Sequence, residues 1–335
     1  MNWQIIGHQK ITTYLENVLL NGRLAHAFLF YGQKQLGKRE MAGQFAKALL
    51  CYEKKHTENK VNNNIPCEQC ESCLEFDKKT HPDFYCITKA STDKNIGVSQ
   101  IRELKNSLTN RSFFNSYKVA IVDGAHELST SAANSLLKTL EEPLGKTVII
   151  LIAEKLDSLP TTIISRTQKI KFLPVAKKDI YNFLVTKNLD RDLALHVANL
   201  ASGRPGRAFG FINNPEAWNK YLSSVNYFFK IFASKKHEKI ALVNNLLSEK
   251  KLVDQVEIVL PLLDFWQMLF RDILLLKLQQ SDKIINSKAS HELERLADYF
   301  DLEKILKINN YIETAKNHLA RNVNVKLVLE NFLLA

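Results

Sequence analysis

Glycine is missing from the last 125 residues of this 335-residue chain, because all eleven glycines lie within the first 210 residues. The same C-terminal part carries only two prolines, Pro215 and Pro261. Its apolar residues recur three and four positions apart, as in 252–260 and 302–308, and this spacing places them on one face of a helix. We therefore predict that the C-terminal part is entirely helical.

Long apolar runs are missing as well. The longest, such as 148–153, fall far short of the roughly 18 residues that a membrane span needs. The first seven residues contain no basic stretch followed by an apolar one, so we expect no signal peptide. With 9% aromatic and 24% charged residues, the composition is that of a globular chain of two or three domains. We expect a soluble, cytoplasmic protein that does not contact a membrane.

Acidic residues are too few to balance the basic ones, since 35 Asp and Glu face 46 Lys and Arg, a net charge of +11. The excess is uneven, with +9 in the first 210 residues and +2 in the last 125. Clustered Lys and Arg attract phosphates, so the first part is a candidate for contact with ATP or DNA. A general bias of the chain toward Lys, Asn and Ile is the alternative explanation.

Short apolar runs alternate with helical stretches in the first 210 residues. The runs rich in β-branched or aromatic residues are Ala27–Tyr31, Lys118–Asp123, Thr147–Ala153 and Gln168–Phe172, with His81–Ile87 as a further candidate strand. Helical stretches such as 40–50 and 129–142 separate them. Strands that alternate with helices predict an α/β fold whose parallel sheet is covered on both faces.

A phosphate-binding pattern, Gly32-Gln-Lys-Gln-Leu-Gly37-Lys38-Arg39, follows the first predicted strand and begins a helix. In such a loop Gly32 and Gly37 let backbone N–H groups surround phosphates, and Lys38 reaches the terminal phosphates. The eighth position should be Ser or Thr, whose hydroxyl binds magnesium. Arg39 cannot replace that hydroxyl, because a guanidinium has no acceptor lone pair. The loop is therefore interpreted as a degraded nucleotide site.

The strand that ends in Asp123 also departs from the pattern of an active ATPase. Its aspartate fits the one that binds magnesium in ATPases of this type. An acidic residue usually follows and polarises the attacking water, but Gly124 stands there and Glu127 is four residues beyond Asp123. The two losses affect metal binding and water activation, so we predict that ATP is not hydrolysed by this chain.

Cysteine is scarce, but four of the five cysteines have the spacing of metal ligands. Cys67, Cys70 and Cys73 form two consecutive C-x2-C steps, and Cys51 lies sixteen residues upstream. Four thiolates complete tetrahedral zinc, and disulfides are not expected in a cytosolic chain. An iron–sulfur cluster is the alternative, although the ferredoxin spacing is missing. We predict structural zinc in an inserted module at about residues 51–80.

Three other residues near this module were considered as ligands. His56 and His81 are reserve ligands, and His56 falls in the polar, Asn-rich and loop-like segment 53–65. Cys86 lies in a candidate strand and is interpreted as a small buried residue.

Several segments together resemble the AAA+ subunits of clamp loaders. Asn134-Ser-Leu-Leu-Lys-Thr-Leu-Glu-Glu-Pro143 is similar to the family's signature helix. Ser165-Arg166-Thr167 resembles the Ser-Arg-Cys motif with Thr in place of Cys, and 24–32 and the Ile6-Gly7-His8 start also fit. A four-cysteine insertion is typical of the bacterial members. The resemblance covers about residues 1–212, and beyond them it rests on a helical tail of suitable length.

The resemblance implies an architecture and further site residues. It implies an AAA+ P-loop NTPase-like α/β domain at 1–172 with the zinc module inserted, a small helical lid at 173–212 and an all-α oligomerisation collar at 213–335. Arg166 would act in trans as an arginine finger on the ATP of a neighbouring subunit. Arg207 aligns with the sensor arginine of the lid, while the first sensor position, usually polar, falls near the apolar Ile152 or Ala153.

The implied function is that of a non-catalytic stator within the DNA polymerase III holoenzyme. Such a subunit completes a pentameric ring with gamma/tau-type and delta-type subunits and helps to load the sliding clamp on primer-template DNA. Two alternatives stay open at this point. One is an active motor ATPase of the gamma/tau type, and the other is a zinc-containing protein that binds nucleic acid directly.

Overall fold

The structure is a computed structural model that describes residue 3 and residues 5–51, 65–90, 93–114, 117–143, 145–248, 252–286, 289–321 and 323–334. Within these residues there are five strands and fifteen α-helices. The chain divides into two compact units, of which the first comprises Met1–Phe183 and Gly203–Gly206 and the second comprises Leu184–Ser202 and Arg207–Ala335.

A parallel sheet forms the centre of the first unit. Its strands are β1 Ala27–Tyr31, β2 Phe84–Ile87, β3 Lys118–Asp123, β4 Thr147–Ala153 and β5 Gln168–Lys171. They lie in the order β2-β3-β4-β1-β5, and all of the pairs are parallel. The predicted α/β fold is confirmed. β1, β3 and β4 are buried on both faces, which is why their sequences are continuous apolar runs.

Helices cover both faces of this sheet. The helices of the N-terminal part are α1 Gln9–Asn21, α2 Lys38–Leu50, α3 Glu71–Asp77, α4 Val98–Thr109, α5 Thr130–Glu141, α6 Thr161–Ile164 and α7 Lys177–Thr186. Phe28 and Phe30 of β1 pack against α1 and α2, whereas Ala27 and Leu29 face α4, α5 and α6. This alternation follows from the period of two of a strand.

The carboxyl ends of three strands meet at one edge of the sheet and position the loops of the candidate site. Gly32, which follows β1, donates its N–H to the Ala153 carbonyl oxygen of β4 at 3.3 Å. Gly124, which follows β3, donates to the Ile152 carbonyl oxygen at 3.1 Å. The phosphate-loop pattern and Asp123 are therefore held on either side of the end of β4.

The chain after α7 contains helices and no strand among its described residues, which confirms the prediction of a helical fold for the last 125 residues. Its helices are α8 Arg191–Ala201, α9 Pro205–Asn213, α10 Pro215–Ala233, α11 Lys236–Leu247, α12 Leu252–Lys277, α13 Ser290–Tyr299, α14 Leu302–Ala320 and α15 Val325–Leu334. α12 continues through Pro261. The separation of a lid from a collar at residue 212 stays a prediction. None of the helices in the described part of the chain combines the length and the apolar character that crossing a bilayer requires.

A buried polar network joins three segments of the second unit. The carboxylate of Asp272 on α12 is completely buried and accepts hydrogen bonds from the backbone N–H groups of Ile285 and Asn286, at 3.0 and 2.8 Å, and from the Asn286 amide at 2.7 Å. Asn286 in turn accepts a hydrogen bond of 2.8 Å from the Tyr221 hydroxyl of α10. Asp272 thus fixes the segment that leads from α12 to α13.

We expect Asp272→Ala to lower the free energy of unfolding of the second unit by about 3 kcal/mol, because it leaves buried donors without an acceptor. Asp264→Ala is the matched control, since that carboxylate is 70% exposed in its 2.6 Å pair with Lys316 and its loss costs about 1 kcal/mol or less. Urea unfolding followed by the fluorescence of Trp218 and Trp266 measures both. Equal midpoints for the two variants would contradict the role given to Asp272.

Candidate functional site

The lysine of the phosphate loop is hydrogen-bonded to carbonyl groups of the same loop. Gly37 has a φ of 87° and precedes α2, whose first residue is Lys38. The Lys38 ammonium donates to the carbonyl oxygens of Gly32 at 2.5 Å and Gln33 at 2.6 Å, and the residue is only 7% exposed. Burial lowers the pKa of Lys38, and the negative charges of Glu154 and Asp123 oppose this shift. The side chain predicted to reach phosphates is thus bound by the loop itself.

A guanidinium lies beside the aspartate that would bind magnesium in an active ATPase. Nη1 of Arg39 is 3.3 Å from Oδ2 of Asp123, and this ion pair joins the start of α2 to the end of β3. In an active site of this kind, a Ser or Thr at position 39 and the aspartate would share the metal ion. Here the Asp123 carboxylate already has a cationic partner.

The backbone after Asp123 favours glycine at position 124. Gly124 has a φ of 87°, which other residues rarely adopt, and a Cβ atom there would lie 2.7 Å from Oε2 of Glu127. A short 3-10 turn, Ala125–Glu127, begins at this point. The Glu127 carboxylate is paired with the Lys89 ammonium at 2.9 Å. An acidic side chain at position 124 would therefore strain the backbone and would require the Glu127 side chain to move.

Glu154 is a site residue that the sequence analysis missed. It directly follows β4, and its Oε1 atom is 3.0 Å from Nζ of Lys34 and 3.3 Å from Nε2 of His126. Ile152 and Ala153, near which the first sensor position was expected, are buried. The available signal was that Glu154 is the first charged residue after an apolar strand, at the sheet edge where ligands bind in α/β folds.

Two other segments fix the outer side of the loop. Nε2 of His8 donates to the Leu36 carbonyl oxygen at 2.8 Å, and the ring of His8 lies edge-on to Phe172 with 4.9 Å between centroids. The backbone N–H of Gly206 donates to the Gln35 carbonyl oxygen at 2.9 Å, and a Cβ atom on Gly206 would approach Gln35 to 3.1 Å. The loop is therefore held both from the N-terminal segment and from the segment 203–206.

Arg207 belongs to the second compact unit. Its guanidinium carbon lies 5.9 Å from the centroid of the Phe211 ring. A sensor role for Arg207 stays a prediction.

Arg166 lies two residues after the end of α6 and is held by three acceptors. Its Nη2 atom is 2.7 Å from Oε1 of Glu141, and its Nη1 atom donates to the Thr162 carbonyl oxygen at 3.0 Å and to the Ser165 hydroxyl at 3.2 Å. The neighbouring Thr167, which stands where the resembled motif has Cys, donates its hydroxyl to the carbonyl oxygen of Ile163 at 3.2 Å. Thr167 therefore provides a hydrogen-bond donor for a carbonyl group at the end of α6.

The four cysteines predicted to bind a metal are brought together. The sulfur atoms of Cys51, Cys67, Cys70 and Cys73 all lie within 4.8 Å of one another, and those of Cys67 and Cys73 are 4.0 Å apart. Four sulfurs at about 2.3 Å from one zinc ion are about 3.8 Å apart, so the cluster has the right size. A hydrogen bond with Cys51 and burial raise the pKa of Cys73, so that metal binding would have to release its proton. The cluster can hold a metal ion, and its donor set is consistent with zinc.

The other residues considered as ligands lie outside this cluster. Both ring nitrogens of the buried His81 are engaged, because Nδ1 accepts from the Asp83 N–H at 3.1 Å and Nε2 is 2.9 Å from the Ser72 hydroxyl. His56 and residues 52–64 lie outside the described residues. The interpretation of Cys86 as buried was wrong. It is exposed because β2 is an edge strand of the sheet.

Comparisons with known proteins cover most of the chain. A family model described as "DNA polymerase III, delta subunit" matches residues 7–176, and one described as "DNA polymerase III, delta subunit, C terminal" matches residues 215–335. DNA polymerase III subunit delta' of Bacillus subtilis (strain 168) is 27% identical over 325 residues, which are 97% of this chain and 94% of that protein.

Two further proteins are similar to the chain. DNA polymerase III subunit tau of Bacillus subtilis (strain 168) is 36% identical over 176 residues, which are 52% of this chain and 30% of that protein. The chain therefore spans less than a third of the length of tau. The solved structure of a DNA polymerase III gamma-subunit-related protein from Thermotoga maritima is 18% identical, with a TM-score of 0.40, and the match covers 96% of this chain and 97% of that chain.

The contact between His8 and the phosphate loop predicts a pH dependence of stability. Burial lowers the pKa of His8 below 6.5, and the hydrogen bond to Leu36 only partly opposes this shift. The unfolded chain therefore binds a proton more readily than the folded one, and stability is lost as the pH falls from about 6.5 through the lower pKa of the folded state.

We expect the urea midpoint of the first unit to fall more between pH 7.5 and pH 5.5 in the wild-type protein than in His8→Gln, whose amide also offers an N–H to Leu36. His237→Gln, which removes an exposed histidine, is the control for the loss of one histidine. Identical pH dependence of the wild-type protein and His8→Gln would contradict the prediction.

Proposed function

The chain belongs to the DNA polymerase III delta-subunit family, and we propose that within the clamp loader it is a delta-prime-type stator. Such a subunit completes a ring of five with gamma/tau-type and delta-type subunits and does not hydrolyse ATP. In this proposal the collar, residues 213–335, joins the ring, and the segment 173–212 is the lid. The complex loads the sliding clamp on primer-template DNA during replication.

The observation that carries the proposal is that three basic side chains at the phosphate loop are paired with acceptors of the same chain. Lys38 is bound by loop carbonyl oxygens, Lys34 by Glu154, and Arg39 by Asp123. The pairs of Lys34 and Arg39 are largely exposed and add little stability on their own. Their importance is chemical, because magnesium at Asp123 would meet a guanidinium where an active site has a hydroxyl ligand. These contacts support a silent site and oppose the motor ATPase alternative.

Arg166 supports a role in a neighbour's reaction. Its side chain is 36% exposed after α6, so the guanidinium reaches the surface of the first unit. A guanidinium supplied by a second protein stabilises the charge that develops on a transferred phosphoryl group, and in GTPases this is worth about 10³ to 10⁵ in kcat. We infer that Arg166 supplies this charge in trans to the ATP of the adjacent motor subunit.

We also propose that Cys51, Cys67, Cys70 and Cys73 hold a structural zinc ion. The cluster offers four thiolates and leaves no ligand position open, which is typical of zinc sites that stabilise a fold and take no part in catalysis. Its role in this chain would be to fold the inserted module next to the sheet.

The arginine-finger proposal predicts that Arg166→Ala lowers DNA-stimulated ATP turnover by the reconstituted complex at least about threefold, because one phosphoryl-transfer site loses its guanidinium. Arg166→Lys keeps the charge but not the planar fork, so it rescues only part of the rate. Arg295→Ala, which removes an exposed arginine of α13, is the control. Size-exclusion chromatography checks that each variant assembles.

An unchanged rate of ATP turnover in assembled Arg166→Ala complexes would refute the arginine-finger proposal. Magnesium-dependent ATP turnover by the isolated chain, abolished by Lys38→Ala, would identify a motor ATPase instead.

The zinc proposal predicts about one zinc ion per chain in metal analysis, by the donor set of four thiolates. Cys73→Ser should lose the metal and lower the melting temperature of the first unit, since metal binding and folding are coupled. Cys86→Ser removes the one cysteine outside the cluster and should retain the metal. Iron in place of zinc, or no metal in the wild-type protein, would contradict the proposal.

A further inference from the structure

A carboxylate of the same chain forms an ion pair with the guanidinium of Arg166. Glu141 is the last residue of α5, and its Oε1 atom lies 2.7 Å from Nη2 of Arg166. The two side chains are 48% and 36% exposed. A single ion pair as exposed as this one adds little to stability. Its consequence is conformational, because it restricts a long side chain that would otherwise sample many rotamers.

The position of Glu141 is fixed by the core of the first unit. Leu136 and Leu140 of α5 are buried against the sheet, and the Ser129 hydroxyl caps the start of the helix by accepting from the Ala132 N–H at 3.2 Å. At the other end, Nε2 of His26 donates to the Leu140 carbonyl oxygen at 2.7 Å. The residue before Glu141 is therefore tied to the start of β1.

Helix stability does not explain a carboxylate at this position. The C-terminal end of a helix carries partial negative charge, so acidic side chains are unfavourable there and basic ones are favourable. Glu141 places a negative charge at the C-terminal end of α5, where it is unfavourable. Arg166 places a positive charge just beyond the C-terminal end of α6, where it is favourable. The pairing with Arg166 gives Glu141 a role that the helix itself does not.

The guanidinium keeps donors for a second anion while Glu141 holds it. A guanidinium has five N–H donors. Glu141, the Thr162 carbonyl oxygen and the Ser165 hydroxyl engage three of them through Nη1 and Nη2. The remaining two can meet an incoming phosphate, so the carboxylate orients the arginine without blocking it.

We propose that Glu141 is a positioning residue that holds Arg166 ready for the triphosphate bound by the neighbouring subunit. The inference rests on the proposed function, because it matters only where Arg166 acts in trans. Positioning affects the step in which charge develops on the transferred phosphoryl group, and it leaves ATP binding by the neighbour unchanged. Loss of Glu141 therefore lowers kcat and not the affinity for ATP.

The test uses the reconstituted complex with motor subunits, sliding clamp and primed DNA, and it measures kcat and KM for ATP. The variants are Glu141→Ala, Glu141→Gln, Arg166→Ala and the double variant of Glu141→Ala with Arg166→Ala. Glu142→Ala is the matched control, because it removes the adjacent exposed carboxylate from the same end of α5. Size-exclusion chromatography verifies assembly.

We expect Glu141→Ala to lower kcat by about two- to fivefold at unchanged KM, since a misplaced catalytic group loses rate and not substrate affinity. Glu141→Gln should recover most of the rate, because its amide oxygen accepts the same N–H. The double variant should be as slow as Arg166→Ala alone, since the two residues act as one unit. Glu142→Ala should turn over like the wild-type complex.

The possible failures are distinguishable. Arg166→Ala at the wild-type rate defeats the proposed function itself. A slow Arg166→Ala complex together with a wild-type or faster Glu141→Ala complex overturns only the positioning role. If Glu141→Ala does not assemble, Glu141→Asp replaces it, since the shorter side chain withdraws the carboxylate from Arg166. A wild-type rate of Glu141→Asp then overturns the inference in the same way.

Discussion

The ion pair between Arg39 and Asp123 is the contact on which the character of the site depends. It joins the first turn of α2 to the end of β3, where an active ATPase would hold a magnesium ion between a hydroxyl and a carboxylate. Lys38 is likewise hydrogen-bonded within the loop, to the carbonyl oxygens of Gly32 and Gln33. In the proposed stator role, the nucleotide-binding fold serves as a scaffold.

Two glycines of this scaffold, Gly32 and Gly124, have structural roles that do not involve phosphate. Gly32 packs directly against the Phe172 carbonyl oxygen, and Gly124 has a left-handed backbone beside Glu127. The loop also receives hydrogen bonds from His8 and Gly206. The loop therefore connects segments of the first unit, and this structural role does not require ATP hydrolysis. Under the proposed function, the chemistry that the chain contributes lies at Arg166.

The sequence predicted features that depend on local pattern, and it missed those that depend on tertiary contact. Four predicted strands match β1, β3, β4 and β5 within a residue. β1, β3 and β4 are uninterrupted apolar runs because they are buried on both faces, whereas only Ile170 of the edge strand β5 is buried. The cysteine cluster could be predicted because the cysteines have the spacing of metal ligands along the sequence. The contacts of Glu154 with Lys34 and of Glu141 with Arg166 join residues far apart in the chain. The exposure of Cys86 depends on strand order, which an apolar run does not encode.

The most direct measurement compares two single substitutions in the same reconstituted clamp loader. Lys38→Ala alters the phosphate loop of this chain, and Arg166→Ala removes its guanidinium from the surface after α6. If the chain is a stator, DNA-stimulated ATP turnover persists in the assembled Lys38→Ala complex and falls in the Arg166→Ala complex. The reverse result, a fall with Lys38→Ala and no change with Arg166→Ala, would contradict the account.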